Sequence, residues 1–303
     1  MGRSKNKGTG EIVMKRILIT GADSYIGTSF KNYMQQWDKR CQIDTLDMRD
    51  SSWRKRDFSG WNVVYHVAGI AHADVKETTE EQKRLYYKVN TELAVEVAEK
   101  SKKGGVDQFI FMSSMIIYSG CKDKIITKNT TPTPLNFYGD SKWQADQLIG
   151  AMANDSFKVV ILRPPMIYGK GSKGNYPQLA KLAGALPVFP KTTNRRSMLY
   201  IDNLCEFVRL MIKYDESGVF FPQNREYTDT SEMVRMIADA KGHGIFIIPG
   251  FKWILKLLMK MPGKVGRLAD KAFGDFAYEM SMSEYREDYC IVDLERSIKM
   301  TEG

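Results

Sequence analysis

Apolar positions along the chain fall into short runs separated by stretches with helical spacing. Ile17-Leu18-Ile19-Thr20 is one such run, and it ends in Gly21-Ala22-Asp23-Ser24-Tyr25-Ile26-Gly27, after which residues 28–37 continue as a helix. Residues 42–47 read as a second strand. Residues 63–69 are almost continuously apolar, as expected for a parallel strand covered on both faces, and read as a fourth strand. Residues 85–103 read as a helix with Asn90 near its start, and residues 108–112 as the strand after it. Strands alternating with helices predict an α/β fold, a doubly wound parallel sheet of the Rossmann type.

Beyond Gly169 the pattern loosens, with Gly171, Gly174, Pro177, Pro187 and Pro190 breaking it up. Insertions of this kind at strand ends are where such folds build substrate sites. Residues 202–213 read as a helix, residues 218–222 as a strand returning to the sheet, and Thr230-Ser231 as the cap of a helix reaching Ala240. The expected organisation is a flexible extension over residues 1–13, a nucleotide-binding domain over 14–170, and a smaller, partly interleaved substrate-binding lobe over 171–303. Residues 251–261 are apolar with spaced lysines and read as core packing rather than as a membrane-surface helix.

Composition narrows the function classes. A chain of 303 residues, 43% hydrophobic and 27% charged, can bury one large core and a smaller lobe. No apolar run approaches the roughly 18 residues that span a bilayer, and the first residues lack the apolar centre of a signal peptide, so no membrane insertion is expected. Cys41, Cys121, Cys205 and Cys290 are scattered without paired spacing, which argues against a disulfide framework or a zinc site and fits a reducing cytoplasm. His66, His72 and His243 show no metal-ligand spacing, and His66 reads as a packed strand residue; no metal is expected. The net charge of +9 is spread along the chain rather than gathered on one helix. That distribution argues against nucleic acid and favours a small anionic substrate such as a nucleoside diphosphate.

The chemistry is concentrated in a few positions. A strand–glycine turn–helix unit aims backbone N–H groups and a helix N-terminus at a pyrophosphate, which makes Gly21, Ser24, Tyr25, Ile26 and Gly27 candidate cofactor-binding residues. Asp47 lies 20 positions after Gly27, where a carboxylate accepts both ribose hydroxyls of an adenosine; this favours NAD. Arg49 can hold a 2′-phosphate instead, which keeps NADP open. Tyr138 lies 24 residues beyond Ser114 and four before Lys142. On a helix the tyrosine and lysine share a face, and an adjacent ammonium together with the positive nicotinamide ring lowers the pKa of a phenol toward a usable acid/base. A serine hydroxyl nearby can share the substrate proton.

With these residues in order, the sequence resembles the extended short-chain dehydrogenase/reductases, in particular the NAD-dependent epimerase/dehydratase group that includes UDP-galactose 4-epimerase, over about residues 15–301. The resemblance implies that Ser114, Tyr138 and Lys142 are the catalytic set, with Lys142 also on the nicotinamide ribose. It implies cofactor packing at Val67, Ala68 and Gly69, Asn90 beside the cofactor, and a closing motif Leu162-Arg163-Pro164-Pro165-Met166-Ile167-Tyr168-Gly169 in which Pro164 meets cofactor and Met166 meets substrate. Asn175 then matches a substrate-phosphate contact and Arg196 an arginine that grips the nucleotide diphosphate. A homodimer through the helix bearing Tyr138 and its neighbour is also implied.

Three departures stand out. Ser24 occupies the place of the middle glycine, where its hydroxyl can donate to the pyrophosphate. Met166 replaces a substrate-side asparagine. Met115 and Ile116 stand where sugar dehydratases carry an acidic pair, and apolar side chains cannot move the protons that elimination needs. The expected activity is reversible oxidation at C4 of a UDP-hexose, an epimerase reaction of the UDP-glucose 4-epimerase type. The alternatives are an NAD(P)H-dependent 4-ketoreductase acting on a 4-keto-6-deoxy sugar nucleotide and a redox sensor without turnover.

Overall fold

The structure is a computed structural model that describes residues 15–37, 41–71, 79–250 and 273–303, with the single positions 254, 257 and 261 between them. The extension over 1–13, His72 and most of the 251–261 stretch lie outside the described residues. The chain opens with β1 (Arg16–Thr20), α1 (Tyr25–Trp37), β2 (Gln42–Leu46) and β3 (Val63–His66). A long helical stretch follows, in which α2 (Glu80–Tyr87) and α3 (Leu93–Lys103) are joined by a π-helical turn, Lys88–Glu92. Next come β4 (Gln108–Met112), a 3-10 turn (Met115–Tyr118), β5 (Ile125–Ile126), α4 (Phe137–Gly150) and β6 (Lys158–Leu162). The second half supplies β7 (Met166–Tyr168), α5 (Asn175–Ala185), β8 (Val188–Pro190), β9 (Met198–Tyr200), α6 (Ile201–Lys213), β10 (Gly218–Phe220), α7 (Thr230–Ala240), β11 (Phe246–Ile248), β12 (Ala277–Tyr278) and a C-terminal helix, Leu294–Glu302.

Six strands form one parallel sheet in the order β10-β6-β4-β3-β1-β2. From β1 the chain runs outward to β2 and then crosses back to β3 on the other side. That reversal opens the crevice at the carboxyl ends of β1 and β3, the place where doubly wound sheets bind ligands. Alternate strand residues feed two separate cores. Ile17, Ile19, Tyr65, Ile110, Val160 and Leu162 face the layer of α1 and α6, while Leu18, Val64, Phe109, Phe111, Val159 and Ile161 face α3 and α4. Burial on both faces is why these strands read as continuous apolar runs.

The later chain is woven into this sheet and also makes three small parallel pairs beside it. β10 returns to the edge, with Gly218 opposite Val160, and α6, buried on most of its circumference, packs on α1. β7 pairs with β9, β8 with β11 and β5 with β12.

Several boundaries differ from the sequence reading. α1 begins at Tyr25, because Ser24 caps it: the Gly27 N–H donates to Ser24 Oγ at 3.1 Å. The run at 63–69 is the third strand along the described chain, not the fourth, and regular pairing ends at His66. The helix expected from residue 85 starts at Glu80, where Thr79 and Gln82 form a capping box. The cap of α7 is Asp229, which accepts from the Glu232 N–H at 2.9 Å; Thr230 is already helical. Among the described residues, no helix is long and apolar enough to cross a membrane.

Candidate active site

Ser114 lies two residues past the end of β4, where the chain turns. The N–H of Ser113 donates to the Leu162 carbonyl at 2.8 Å and that of Met115 to the Pro164 carbonyl at 2.9 Å, so the backbone is held on both sides of Ser114 by the end of β6. Ser114 itself is extended and caps the 3-10 turn, its Oγ accepting from the Ile116 N–H at 3.2 Å. Facing it is the first turn of α4, set by Asn136, whose side chain accepts from the Gly139 N–H at 2.9 Å. A Cβ on Gly139 would lie 3.1 Å from the Ile116 carbonyl oxygen, which is how closely α4 approaches the turn.

This approach brings Ser114, Tyr138 and Lys142 together. The Ser114 hydroxyl lies near enough to the Tyr138 phenol to favour its ionised form. Lys142 is buried; its Nζ donates to the Met112 carbonyl at 2.9 Å and lies 5.1 Å from the centre of the Phe111 ring. Burial pushes the Tyr138 phenol up to about 12, partly offset by Ser114, with the neighbouring Tyr86 adding to the rise. The same effect pulls the Lys142 ammonium down to about 8. In the protein alone burial sets the direction for the phenol, and the positive nicotinamide ring named with the lysine in the sequence reading is the charge that would act against it.

Asn90 belongs to the same wall. It is fully buried at the π-helical turn, its Oδ1 accepting from the Ile70 N–H at 2.9 Å and its Nδ2 donating to the Ile70 carbonyl at 3.0 Å and to Ser141 Oγ at 3.2 Å. A Cβ on Gly69 would sit 3.1 Å from Asn90 Oδ1 and 3.2 Å from Lys142 Nζ. The bare backbone thus opens a cradle between an amide and an ammonium. Under it, His66 is a packed residue: fully buried, roughly parallel to Phe109 and Phe111, with Nδ1 2.7 Å from Thr20 Oγ1. Burial, with the Lys142 charge adding, drives its pKa down to about 3.

The turn after β1 has the geometry that a pyrophosphate requires. Gly21 has φ +98°, and a Cβ there would meet the backbone nitrogen of Ala68 at 3.0 Å. Gly27 packs against Ile19 and Val67. The Ser24 oxygen accepts from the Gly27 N–H and so caps α1, which leaves its own hydrogen to donate. Ile26 packs against the core, and Tyr25 turns its hydroxyl toward Gly169. At the end of β2, Asp47 is engaged: Arg49 Nε donates to both of its oxygens at 3.0 and 2.9 Å, and the same guanidinium reaches Asp23 at 2.7 Å. Hydrogen bonds from Arg49 hold the Asp47 carboxyl down to about 2.

The remaining expected positions follow the chain away from α4. Pro164 is buried beside Ser114 through its carbonyl bond to Met115. Met166 opens β7 opposite Met198 of β9. Arg196, two residues before β9, bridges Thr228 and Phe276 through its backbone, and its Nη1 donates to the Gly274 carbonyl at 3.1 Å. Asn175 starts α5 after Gly174, half-buried. Sequence reasoning missed Ser113, Asp146 and Arg163, which form a buried network behind Ser114, and Tyr86, whose ring stands edge-on to Tyr138 at 6.1 Å. The signal for Asp146 was its position one helical turn beyond Lys142. No group of histidine, cysteine or acidic residues that could hold a metal occurs among the described residues.

Comparisons with known proteins identify the family. The sequence profile of the NAD dependent epimerase/dehydratase family matches residues 14–221. The chain is 31% identical over 294 residues to a UDP-glucose 4-epimerase of Vibrio cholerae, covering 88% of each. It is 30% identical over 221 residues to an N-acetyl-α-D-glucosaminyl-diphospho-ditrans,octacis-undecaprenol 4-epimerase of Escherichia coli O157:H7, covering 67% of this chain and 64% of the relative. Among solved structures, MoeE5 in complex with UDP-glucose and NAD superposes with a TM-score of 0.66 at 17% identity, over 94% of this chain and 97% of that one. The UDP-glucuronic acid 4-epimerase of Bacillus cereus with NAD and a fluorinated sugar nucleotide gives 0.66 at 18%, over 95% and 98%. These two share the fold. The chain belongs to the NAD dependent epimerase/dehydratase family and is an NAD-dependent enzyme of the extended short-chain dehydrogenase/reductase type.

Proposed function

We propose that the protein is a sugar-nucleotide 4-epimerase that oxidises and re-reduces C4 of a UDP-hexose. The observation that carries this reading is the convergence of Ser114, Tyr138 and Lys142 beside a turn whose neighbouring residues, Met115 and Ile116, have no titratable groups. Such a site can remove and return one hydroxyl proton but lacks the second acid/base pair that dehydration uses.

NAD fits the residues present: Gly21 and Gly27 at its pyrophosphate, Asp47 at the adenosine ribose, Asn90 and Lys142 at the nicotinamide end. When bound, it supplies the hydride acceptor and a positive ring that lowers the phenol. Tyr138 then takes the C4 hydroxyl proton while the Ser114 hydroxyl holds the same oxygen, leaving a 4-keto sugar; Tyr138 returns the proton after the sugar has presented its other face. Lys142, through its remaining donors, orients the ribose. Arg196 and Asn175 meet the diphosphate, and the parts of residues 171–303 that lie outside the six-stranded sheet hold the hexose. The reading further places the enzyme in the cytoplasm as a homodimer, with NAD preferred over NADP because Arg49 is turned onto Asp47.

Incubating the protein with NAD and UDP-glucose tests it. UDP-galactose should accumulate to equilibrium with no net change in NADH absorbance. Stoichiometric loss of NADH with a 4-keto sugar nucleotide, and no interconversion of the hexoses, would establish the ketoreductase instead. Met166, which removes a polar contact expected of many epimerases, is the observation that keeps that second reading in view.

A further inference from the structure

Behind the proposed catalytic residues lies a buried polar network that has no part in the chemistry described above. Asp146 sits one turn beyond Lys142 on α4, 1% exposed, and Arg163 follows β6, 7% exposed. The Arg163 guanidinium donates from Nε and Nη2 to the two carboxylate oxygens of Asp146 at 2.9 and 2.8 Å, and from Nη1 to the Tyr118 hydroxyl at 2.7 Å. The Ser113 hydroxyl donates to the same carboxylate at 2.8 Å. Rings of Trp143, Phe221 and Tyr118 surround the guanidinium at 5.3 to 5.8 Å. From β12, the Tyr278 hydroxyl donates to the Arg163 carbonyl at 2.8 Å.

A buried ion pair is a weak source of stability, since desolvation cancels most of the attraction and an apolar pair of similar volume often serves as well. What a planar fork supplies is direction. Here it joins the end of β4, the catalytic helix, the end of β6 and the 3-10 turn. Each piece carries or abuts a residue of the site: Ser113 precedes Ser114, Asp146 shares a helix face with Lys142 and Tyr138, and Arg163 precedes Pro164. Without the fork, α4 could slide or roll against the serine turn by fractions of an ångström while every apolar contact survived.

We propose that Ser113, Asp146 and Arg163 are positioning residues, a clamp that sets the Ser114 hydroxyl against the Tyr138 phenol and so tunes the proton transfer. This inference rests on the assignment of Tyr138 as the acid/base. Two variants test it in the NAD-loaded protein. Ser113→Ala removes one hydroxyl and leaves the ion pair; Asp146→Leu with Arg163→Met exchanges the pair for apolar side chains. The readouts are kcat and KM for the UDP-hexose, the pH profile of kcat, and the titration of the Tyr138 ring resonance in 13C-tyrosine protein, identified by its loss in Tyr138→Phe.

Ser113→Ala should keep its melting temperature and KM, lose about tenfold in kcat, and shift the Tyr138 titration and the acid limb of the profile together to higher pH. The apolar pair should fold and move both further the same way. Unchanged kcat and titration in Ser113→Ala would overturn the clamp, and so would a lower melting temperature with no movement of the Tyr138 titration. Should the apolar pair fail to fold, Ser113→Ala decides alone. Full turnover by Tyr138→Phe would instead remove the acid/base assignment, an outcome the resonance titration keeps separate from the clamp.

Discussion

The two ends of the candidate cofactor site are built in opposite ways. At the chemical end, Lys142, Asn90, Ser113 and Asp146 are buried, and each is held by hydrogen bonds to more than one element or by a bond to backbone across the sheet. At the adenosine end, Asp23, Asp47 and Arg49 form ion pairs in the open, with side chains 74%, 44% and 75% exposed. Buried polar groups are costly to leave unpaired and so keep one arrangement, whereas exposed pairs are screened and easily rearranged. Reactivity is thus lodged in the rigid end and cofactor choice in the adjustable one.

The sharpest way to break this contrast is Tyr138→Phe. It should remove at least about two orders of magnitude of turnover while NAD affinity, measured calorimetrically, stays near native; retained turnover would place the base elsewhere. The second test uses pH. His66 has a folded pKa of about 3, below its ordinary value near 6.5, so between those values the unfolded chain binds the extra proton and the folded protein does not. Stability should fall by roughly 1.4 kcal/mol per pH unit from about pH 6.5 down toward pH 3. Urea titrations should show that slope reduced in Thr20→Val with His66→Phe. At the adenosine end the Asp47 carboxyl, held down to about 2, keeps its charge in the folded protein over that window, so it adds to the slope only at the bottom, as pH falls through its ordinary value of 3.8.

Asp47→Ala should weaken NAD by about tenfold through lost charge-assisted bonds to ribose. It also leaves Arg49 with only the exposed Asp23 pair, so NADP should gain relative to NAD; equal losses for both cofactors would remove Asp47 as the discriminating group. Arg49→Ala should be the mildest change, with melting temperature and turnover near native and only the salt dependence of cofactor binding altered. A large loss of stability there would show the exposed pairs to be structural after all.

The doubly wound sheet was legible because strands buried on both faces leave unbroken apolar runs, and the glycine turn marked where the first of them met a helix. Tyr138 and Lys142 were legible by spacing, and Ser114 by its place just past a strand. What spacing could not convey was burial: any lowering of the phenol by lysine and nicotinamide has to work against a desolvation that pushes it up in the protein alone. Nor could it reveal Arg163 meeting Asp146, since their contact depends on where β6 ends relative to α4 in space. The π-helical turn at Lys88–Glu92 was equally invisible, for its surplus residue obeys no local propensity and is held by Asn90 and Thr91 reaching Ile70 and Ser141.

That turn has a genetic consequence. In-frame loss of one codon between residues 88 and 92 would let the helix run on as regular α, with no proline, glycine or charge introduced. The flanking turns would keep their faces, because the surplus residue is what the wide turn absorbs, yet the wide turn that presents Asn90 to the glycine wall would be gone. A lineage that lost the codon would inherit a smoother helix and a cofactor cradle without its amide.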